Sequence, residues 1–306
     1  MVAGHATSLA VLGADGRLVP GVSVDLGNGL LVTTDRTGRA FFNAPASVDV
    51  LLARISGISA VALVDAAAPQ DADEKLAFAP AVQLHEPFSI CGGGFAGDAD
   101  ANRVNIGGEP ALVLAASPEC LAVLAGVKAV PGAADISIRV PDEQPTRQWS
   151  AHVALVSLAF VPPDPPLRPG EKGQLFVFAQ GVEQPLRIAV GNGAPRVLQF
   201  VRGDAQELVT SGGPQNNAAI EVRAIRSGDF SFHARLLSEP DADAARRYLE
   251  AAAHLAPKDE EREIEKLAGR LGRAPLQKLR RSLERILAAA PAGDFRALLA
   301  AADTSL

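Results

Sequence analysis

The first 238 residues consist largely of short runs in which apolar and polar residues alternate. Val22, Val24 and Leu26, for example, alternate with Ser23 and Asp25, which is the two-residue period of a strand with one buried face. Turn-forming residues separate the runs, beginning with an Asp-Gly pair at 15–16 and an Asn-Gly pair at 28–29. Many short strands at this spacing predict β-sandwiches.

After residue 238 the apolar period changes from two to about 3.6 residues, the period of an α-helix. Ser238 followed by Asp241, with Pro240 between them, is typical of a helix start. Four groups of apolar residues at helical spacing follow: Ala245, Tyr248, Leu249, Ala252 and Leu255; Ile264, Leu267, Ala268 and Leu271; Leu276, Leu279, Leu283, Ile286 and Leu287; and Phe295, Leu298 and Leu299. They predict three to four helices that pack on one another or on the preceding sandwich, or that dock a partner.

These two patterns predict a mainly β chain of tandem small, immunoglobulin-like β-sandwiches with a C-terminal α-helical segment. Linkers are predicted at 66–82, which is rich in Ala, Asp and Pro, and at 141–146. The predicted units are three sandwiches and a helical tail, at residues 1–82, 83–141, 149–238 and 239–306.

Turn and strand residues in the first unit follow a characteristic order. They are Gly16, Val19-Pro20-Gly21, Thr34-Asp35 with Gly38, Phe42 and Pro45. This order resembles the carboxypeptidase-regulatory-like, transthyretin-type sandwich over residues 1–65. The resemblance implies a small β-sandwich that serves as an appended module.

The second unit contains a Gly-rich corner, a strand leading to a Gly-Gly hairpin, and a Pro-Gly pair before its last strand. The residues concerned are Ile90, Gly92, Gly94, Phe95, Asn102, Val104, Gly107, Gly108, Pro131 and Gly132. This set resembles an IPT/TIG immunoglobulin-like domain. Both families mostly serve as binding or spacing modules in bacterial surface and periplasmic proteins, so the two resemblances imply such a role here.

Composition disfavours several classes of partner. The net charge is −6, and no Lys/Arg stripe follows the strands, which argues against nucleic acid. Glycan platforms usually need Trp and Tyr, of which the chain has one each, Trp149 and Tyr248. No apolar run reaches the length of about 18 residues that a membrane span requires. Another protein is therefore the predicted partner.

The sequence leaves two cellular compartments open. The N-terminus has no basic n-region, because the first arginine is Arg17, and it does not resemble a signal peptide. The same sequence would result if a signal peptide had been removed. The chain is thus periplasmic or extracellular in that case, and cytoplasmic otherwise.

Residues 92–97 match the GxGxxG pattern of dinucleotide-binding loops, but acidic, turn-prone residues follow instead of a helix. The pattern therefore indicates a structural corner, and no cofactor is predicted. Asp98, Asp100 and Asn102 have the spacing of the first ligands of an EF-hand loop, yet Arg103 replaces the required glycine. A looser calcium site at Asp98, Asp100 and Asn102 is the remaining metal hypothesis.

No catalytic set can be selected from the sequence. The five histidines lack metal-ligand spacing, there is no GxSxG motif, and neither cysteine has a local histidine or basic partner. The chain is therefore predicted not to be an enzyme. Cys91 and Cys120 either form a disulfide or pack as two buried thiols.

A polar loop between two strands is the second candidate site. It carries Thr210, Ser211, Asn216 and Asn217 around two glycines. Such a loop either faces a ligand or is simply a turn built from residues that tolerate the left-handed conformation.

Together these observations predict a non-catalytic modular binding or spacer protein of the bacterial cell envelope or exterior. One alternative is a cytoplasmic adaptor or assembly subunit that docks a partner through its C-terminal helices. The other is a glycan-binding accessory region of an enzyme.

Overall fold

The computed structural model describes residues 1–13, 17–27, 29–46, 50–55, 58–63, 76–141, 146–203 and 205–237. Within these ranges the chain is mainly β, in several sheets, and its only helical element is a three-residue 3₁₀ turn, Ala99–Ala101. The predicted mainly β class is confirmed. The predicted helical tail at 239–306 lies outside the described residues.

The first unit supplies six strands to two sheets. They are β1 (Ala6–Ala10), β2 (Ser23–Asp25), β3 (Leu31–Thr33), β4 (Arg39–Asn43), β5 (Val50–Ile55) and β6 (Ile58–Leu63). β1 pairs with β4 along its whole length, while β3, β2, β5 and β6 form a separate sheet. Val24 is buried between exposed Ser23 and Asp25, as the alternation predicts, and it packs with Leu26 and Phe42.

The second unit contains seven further strands. They are β7 (Ala81–Gln83), β8 (Phe88–Cys91), β9 (Arg103–Ile106), β10 (Glu109–Pro110), β11 (Leu112–Ala116), β12 (Cys120–Leu124) and β13 (Gly132–Val140). β8, β12 and β11 belong to one sheet and β10, β9 and β13 to another. The core between these sheets includes the fully buried side chains of Ile90, Ile106, Leu121 and Ile136.

The third unit is a two-sheet sandwich. Its strands are β14 (Arg147–Val161), β15 (Lys172–Gln180), β16 (Arg187–Asn192), β17 (Leu198–Phe200), β18 (Ala205–Val209), β19 (Asn217–Ala224) and β20 (Phe232–Leu236). One sheet has the order β14-β15-β19-β17 and the other β18-β16-β20. Leu175, Val177, Ile188 and Ile220 fill the core between them.

Neighbouring units share sheets. β1 of the first unit joins β11 of the second through the pair Ser8↔Ala116. β14 is 15 residues long and pairs with β13 at its start and β15 at its end. The division into units remains a prediction, and β14 contributes to both the second and the third.

Candidate functional site

The Gly-rich corner after β8, residues 92–97, is held by a ring contact and a hydrogen bond. Phe95 is buried and its ring lies 5.1 Å from the ring of Trp149, centroid to centroid. Arg147 donates a hydrogen bond from Nη1 to the carbonyl oxygen of Gly94 at 3.2 Å. Gly94 has φ +77°, which favours glycine. The element after the corner is the single 3₁₀ turn, which is too short to bind a pyrophosphate at its N-terminus.

Asp98, Asp100 and Asn102 lie on and around this turn, and each has a protein partner. Asp98 Oδ1 accepts the backbone N–H of Asp100 at 3.0 Å. Asn102 is buried; its amide accepts from Ala96 N at 3.0 Å and donates to Ala96 O at 2.8 Å and Asp98 O at 2.7 Å. Asp100 pairs with Arg39 Nη1 at 3.0 Å. The calcium hypothesis therefore stays a prediction on three side chains that the fold already uses.

Cys91 and Cys120 form a disulfide that links β8 to β12. The backbone N–H and C=O of Cys91 bond to Ala77, and those of Cys120 bond to Ser117. The two cysteines therefore oppose each other at a non-hydrogen-bonded position, where facing side chains come closest. The bond closes a loop with a sequence separation of 29 residues.

Two side chains of the predicted ligand-facing loop are buried. Thr210 is 2% exposed, and its Oγ1 accepts the backbone N–H of Leu186 at 2.8 Å. Asn216, also 2% exposed, accepts from Gly212 N at 2.8 Å and donates to Gln184 O at 2.8 Å. These bonds hold the loop against the neighbouring segment that follows β15.

The other two side chains bond within the loop. Ser211 Oγ accepts the backbone N–H of Asn217 at 3.2 Å, and Asn217 Nδ2 donates to Gln215 O at 2.6 Å. All four polar side chains thus have partners in the protein. Ligand binding by this loop stays a prediction, while its contacts account for its composition through turn formation.

The second and third units meet on β14. Gly132, at the start of β13, pairs with Leu155, and Gln180, at the end of β15, pairs with Ser157. β13 and β15 therefore meet end to end on β14. A Cβ on the next residue, Gly181, would lie 2.6 Å from Gly132 N and would collide with Leu155 O. Since its φ is also +97°, only glycine fits here without strain.

β14 also changes which of its faces is buried at this point. Val153 and Leu155 pack in the core of the second unit, whereas Leu158 and Phe160 pack in that of the third. Odd and even residues of a strand point to opposite faces, so the two cores lie on opposite faces of β14. This shift of phase is visible in the sequence, because the apolar positions change from odd at Val153 and Leu155 to even at Leu158 and Phe160.

Gln83 ties the second unit to the third from the other side. β7 pairs in parallel with β14, with Gln83 opposite Val156. The amide of Gln83 donates to Ala234 O at 3.1 Å and accepts from Leu236 N at 2.7 Å. Its side chain thus bonds to β20 as a neighbouring strand would. No sequence pattern distinguishes this glutamine, which is the first residue of the predicted unit at 83–141, from other glutamines.

The first and second units meet through polar side chains bound to backbone. Thr7 Oγ1 donates to Ala116 O at 2.7 Å, and Ala116 N donates to Ser8 Oγ at 3.1 Å. Arg39 donates from Nε and Nη2 to Val113 O at 3.0 and 2.6 Å. These contacts satisfy buried or partly buried backbone groups that the single residue pair of β1 and β11 leaves unpaired.

An open groove of about 330 Å³ lies beside β17, lined by Gln199, Phe200, Val201, Gly203 and Arg223. None of these side chains is a nucleophile or a general base. Among the described residues, no group of three or more His, Cys, Asp or Glu is arranged to hold a metal ion. In the same part of the chain, no helix has the length and apolar character needed to cross a membrane.

Comparisons with known proteins give distant likenesses. No family model and no curated protein matches the chain, so both family resemblances stay predictions. Among solved structures, a mixed-linkage glucan utilization locus protein, SGBP-B of Bacteroides ovatus, in complex with a mixed-linkage heptasaccharide, is 10% identical. That likeness covers 77% of this chain and 71% of the other, with a TM-score of 0.24.

Two further solved structures belong to other kinds of protein. An auxiliary nutrient binding protein from Bacteroides thetaiotaomicron is 16% identical over 48% of this chain and 40% of its own, with a TM-score of 0.24. The plexin A4 extracellular region is 12% identical over 76% of this chain and 22% of its own, with a TM-score of 0.30. The chain spans less than half the length of each. TM-scores this low carry no argument for a shared fold or function.

Proposed function

We propose that this chain is a non-catalytic modular binding or spacer protein of the bacterial cell envelope or exterior. The observation that carries the proposal is the continuity of β14, which belongs to two sandwiches at once. Units joined by a flexible linker move independently, whereas a shared strand fixes the position of one unit relative to the other. A stiff row of sandwiches is suited to holding a binding surface at a set distance and angle.

The disulfide supports the exterior over the cytoplasm. Cys91 and Cys120 are bonded to each other, and structural disulfides persist mainly in oxidising compartments. The non-catalytic part of the proposal is supported by the groove beside β17, whose lining side chains include no nucleophile and no general base.

Stiffness is tested by pulsed electron paramagnetic resonance on the full chain. Spin labels at Asn105→Cys in β9 and Gln199→Cys in β17 report the distance between the second and third units, and both positions are exposed. One narrow distance distribution is expected. A broad distribution in the chain with an intact disulfide would overturn the spacer role, because the units would then move independently.

Compartment and partner are tested on the native gene product. Cell fractionation combined with thiol alkylation is expected to find the protein outside the cytoplasm, with Cys91 and Cys120 protected from the reagent. Recovery from the cytoplasm with both thiols reactive would instead favour the adaptor alternative. Retardation in gels containing mixed-linkage glucan or xyloglucan would favour the glycan-binding alternative.

A further inference from the structure

The two outer faces of the third sandwich differ in chemistry. On the sheet formed by β18, β16 and β20, the outward residues include Arg187 and Glu207, which pair at 3.7 Å, and Arg235. That face is polar, as expected for a sheet with one side in water. The opposite outer face, on β14, β15 and β19, carries apolar residues at its centre.

This apolar patch is contiguous across three strands. Leu175, Val177, Ala218 and Ile220 face the core, so the residues between them face outward. We call the outward apolar set the outer patch; it consists of Ala159, Val161, Phe176, Phe178 and Ala219. Register places these residues side by side, with Ala159 opposite Phe178 and with Val161, Phe176 and Ala219 in one row.

The outer patch is accessible within the described part of the chain. Val161 is 45% exposed, and Phe176 and Phe178 are half-buried with ring centroids 6.3 Å apart. It also reaches the rim of its sheet, because no described strand pairs with the far side of residues 157–161. An element coming from the opposite sheet can therefore pass around β14 to reach it.

The chain leaves the sandwich beside this rim. Gln83 lies opposite Val156 of β14 and bonds to Leu236 N, so the end of β20 lies level with Val156. Leu237 is buried and donates its N–H to Arg187 O at 2.8 Å, which fixes the point of exit. The first predicted helix begins at Ser238, directly after this point.

We propose that residues 241–256 of this chain dock on the outer patch. Their apolar stripe, predicted from Tyr248, Leu249 and Leu255, is the first of the C-terminal groups and the one that follows the end of β20 most directly in the sequence. Three strands spaced about 4.8 Å apart form a strip about 10 Å wide, which matches the diameter of one helix. The patch is thus covered by the chain's own C-terminal segment. The inference does not depend on the spacer role.

Photo-cross-linking of the full chain tests the docking directly. p-Benzoylphenylalanine at position 178 is close in shape to the phenylalanine it replaces, and the same group at exposed position 209 on the opposite outer face is the control. Cross-links from position 178 to peptides within 241–256 of the same molecule are expected, with none from position 209. Mixing ¹⁴N- and ¹⁵N-labelled protein separates links within one chain from links between copies.

Two outcomes would overturn the proposal. Links from position 178 to the other isotope would show that a second copy covers the outer patch. The absence of any link to 241–256 would show that this segment does not reach it.

A matched pair of variants gives a second readout by hydrogen exchange. Val161→Glu places a charge in the outer patch, and Val209→Glu makes the same change on the opposite outer face, where the valine is 64% exposed. Exchange in 241–256 is expected to accelerate about tenfold in Val161→Glu, as for losing the burial of one valine. Val209→Glu should leave it unchanged. Equal exchange in both variants would contradict docking at this face.

Discussion

The two joints between units are built differently. The first and second units share one residue pair, Ser8↔Ala116, and are held by Thr7, Ser8 and Arg39, whose side chains bond to backbone. The second and third units share a whole strand, β14. Side-chain bonds can be lost one at a time, whereas a strand with two cores on it cannot leave either core without opening both. The second joint should therefore be the stiffer one.

The largest expected effect is at Gly181, in the second joint. Gly181→Ala forces a Cβ against Leu155 O in a backbone conformation that costs alanine energy, so we expect destabilisation of about 3 kcal/mol or more. Chemical denaturation and hydrogen exchange across β13, β14 and β15 measure it.

Gly203→Ala is the matched control, because Gly203 also has φ +97° but has nothing within 4 Å of the added Cβ. Gly203→Ala should lose only the stability that the unfavourable backbone conformation costs an alanine, about 1–2 kcal/mol. Equal losses in the two variants would mean that the close contact at the second joint contributes nothing.

The first joint is expected to depend most on Arg39. Arg39→Met leaves Val113 O without its two donors in a partly buried position, which should cost about 1–3 kcal/mol. The contact with Asp100 adds little, because that carboxylate is 64% exposed. Hydrogen exchange should accelerate in β1 and β11 and stay unchanged in β15. Arg103→Met, at an exposed position on β9, is the control. A similar loss of stability in Arg103→Met would mean that the loss in Arg39→Met does not come from the contacts of the first joint.

A smaller effect is expected at Gln83. Gln83→Glu keeps an acceptor for Leu236 N but removes the donor to Ala234 O, so we expect a loss of about 1–2 kcal/mol at neutral pH. Exchange in β20 should accelerate, while Gln174→Glu, an exposed position on β15, should leave β20 unchanged. If β20 exchanges at the wild-type rate in Gln83→Glu, this side chain does not couple the units.

The smallest effect lies outside both joints, in the turn after Thr34. The side-chain hydroxyl of Thr37, with help from its backbone N–H, holds the pKa of Asp35 below the ordinary value for aspartate. Thr37→Ala should raise this pKa, and Thr37→Ser should keep it low; ¹³C NMR titration measures both. A group with a lowered pKa stabilises the fold above its ordinary pKa, and this contribution is lost as the pH falls through the folded-state pKa. Thr37→Ala should therefore lose less stability than the wild-type protein as the pH falls. An unchanged pKa of Asp35 in Thr37→Ala would contradict the assignment of Thr37 as the cause.

Strand periodicity predicted the mainly β class because alternation depends on neighbouring residues alone. The joints could not be predicted in this way. Pairing of β1 with β11 joins residues far apart in the sequence, and the strand-like bonding of Gln83 depends on where β20 ends. The disulfide stayed an open choice because it needs the register of β8 against β12. The sequence does contain one signal of the second joint, the change of phase between Leu155 and Leu158. It can be interpreted only when the cores of both units are considered together.

The two predicted sites show a second limit of prediction from sequence. Asp98, Asp100 and Asn102 have ligand-like spacing, and the residues of the 210–217 loop have ligand-like chemistry. Polar side chains of these types also bond within the protein around turns: Asp98, Asn102 and the loop residues bond to backbone groups, whereas Asp100 pairs with Arg39. Sequence alone does not separate the two uses.

The shared strand also affects the order of events during synthesis. The second sandwich lacks part of one wall until Leu155 has emerged from the ribosome, so its core cannot close when the predicted unit at 83–141 is complete. When β14 does pair with β13, its remaining residues are already held in extended form beside the place where β15 must add. The finished second sandwich would then serve as the template on which the third begins to fold.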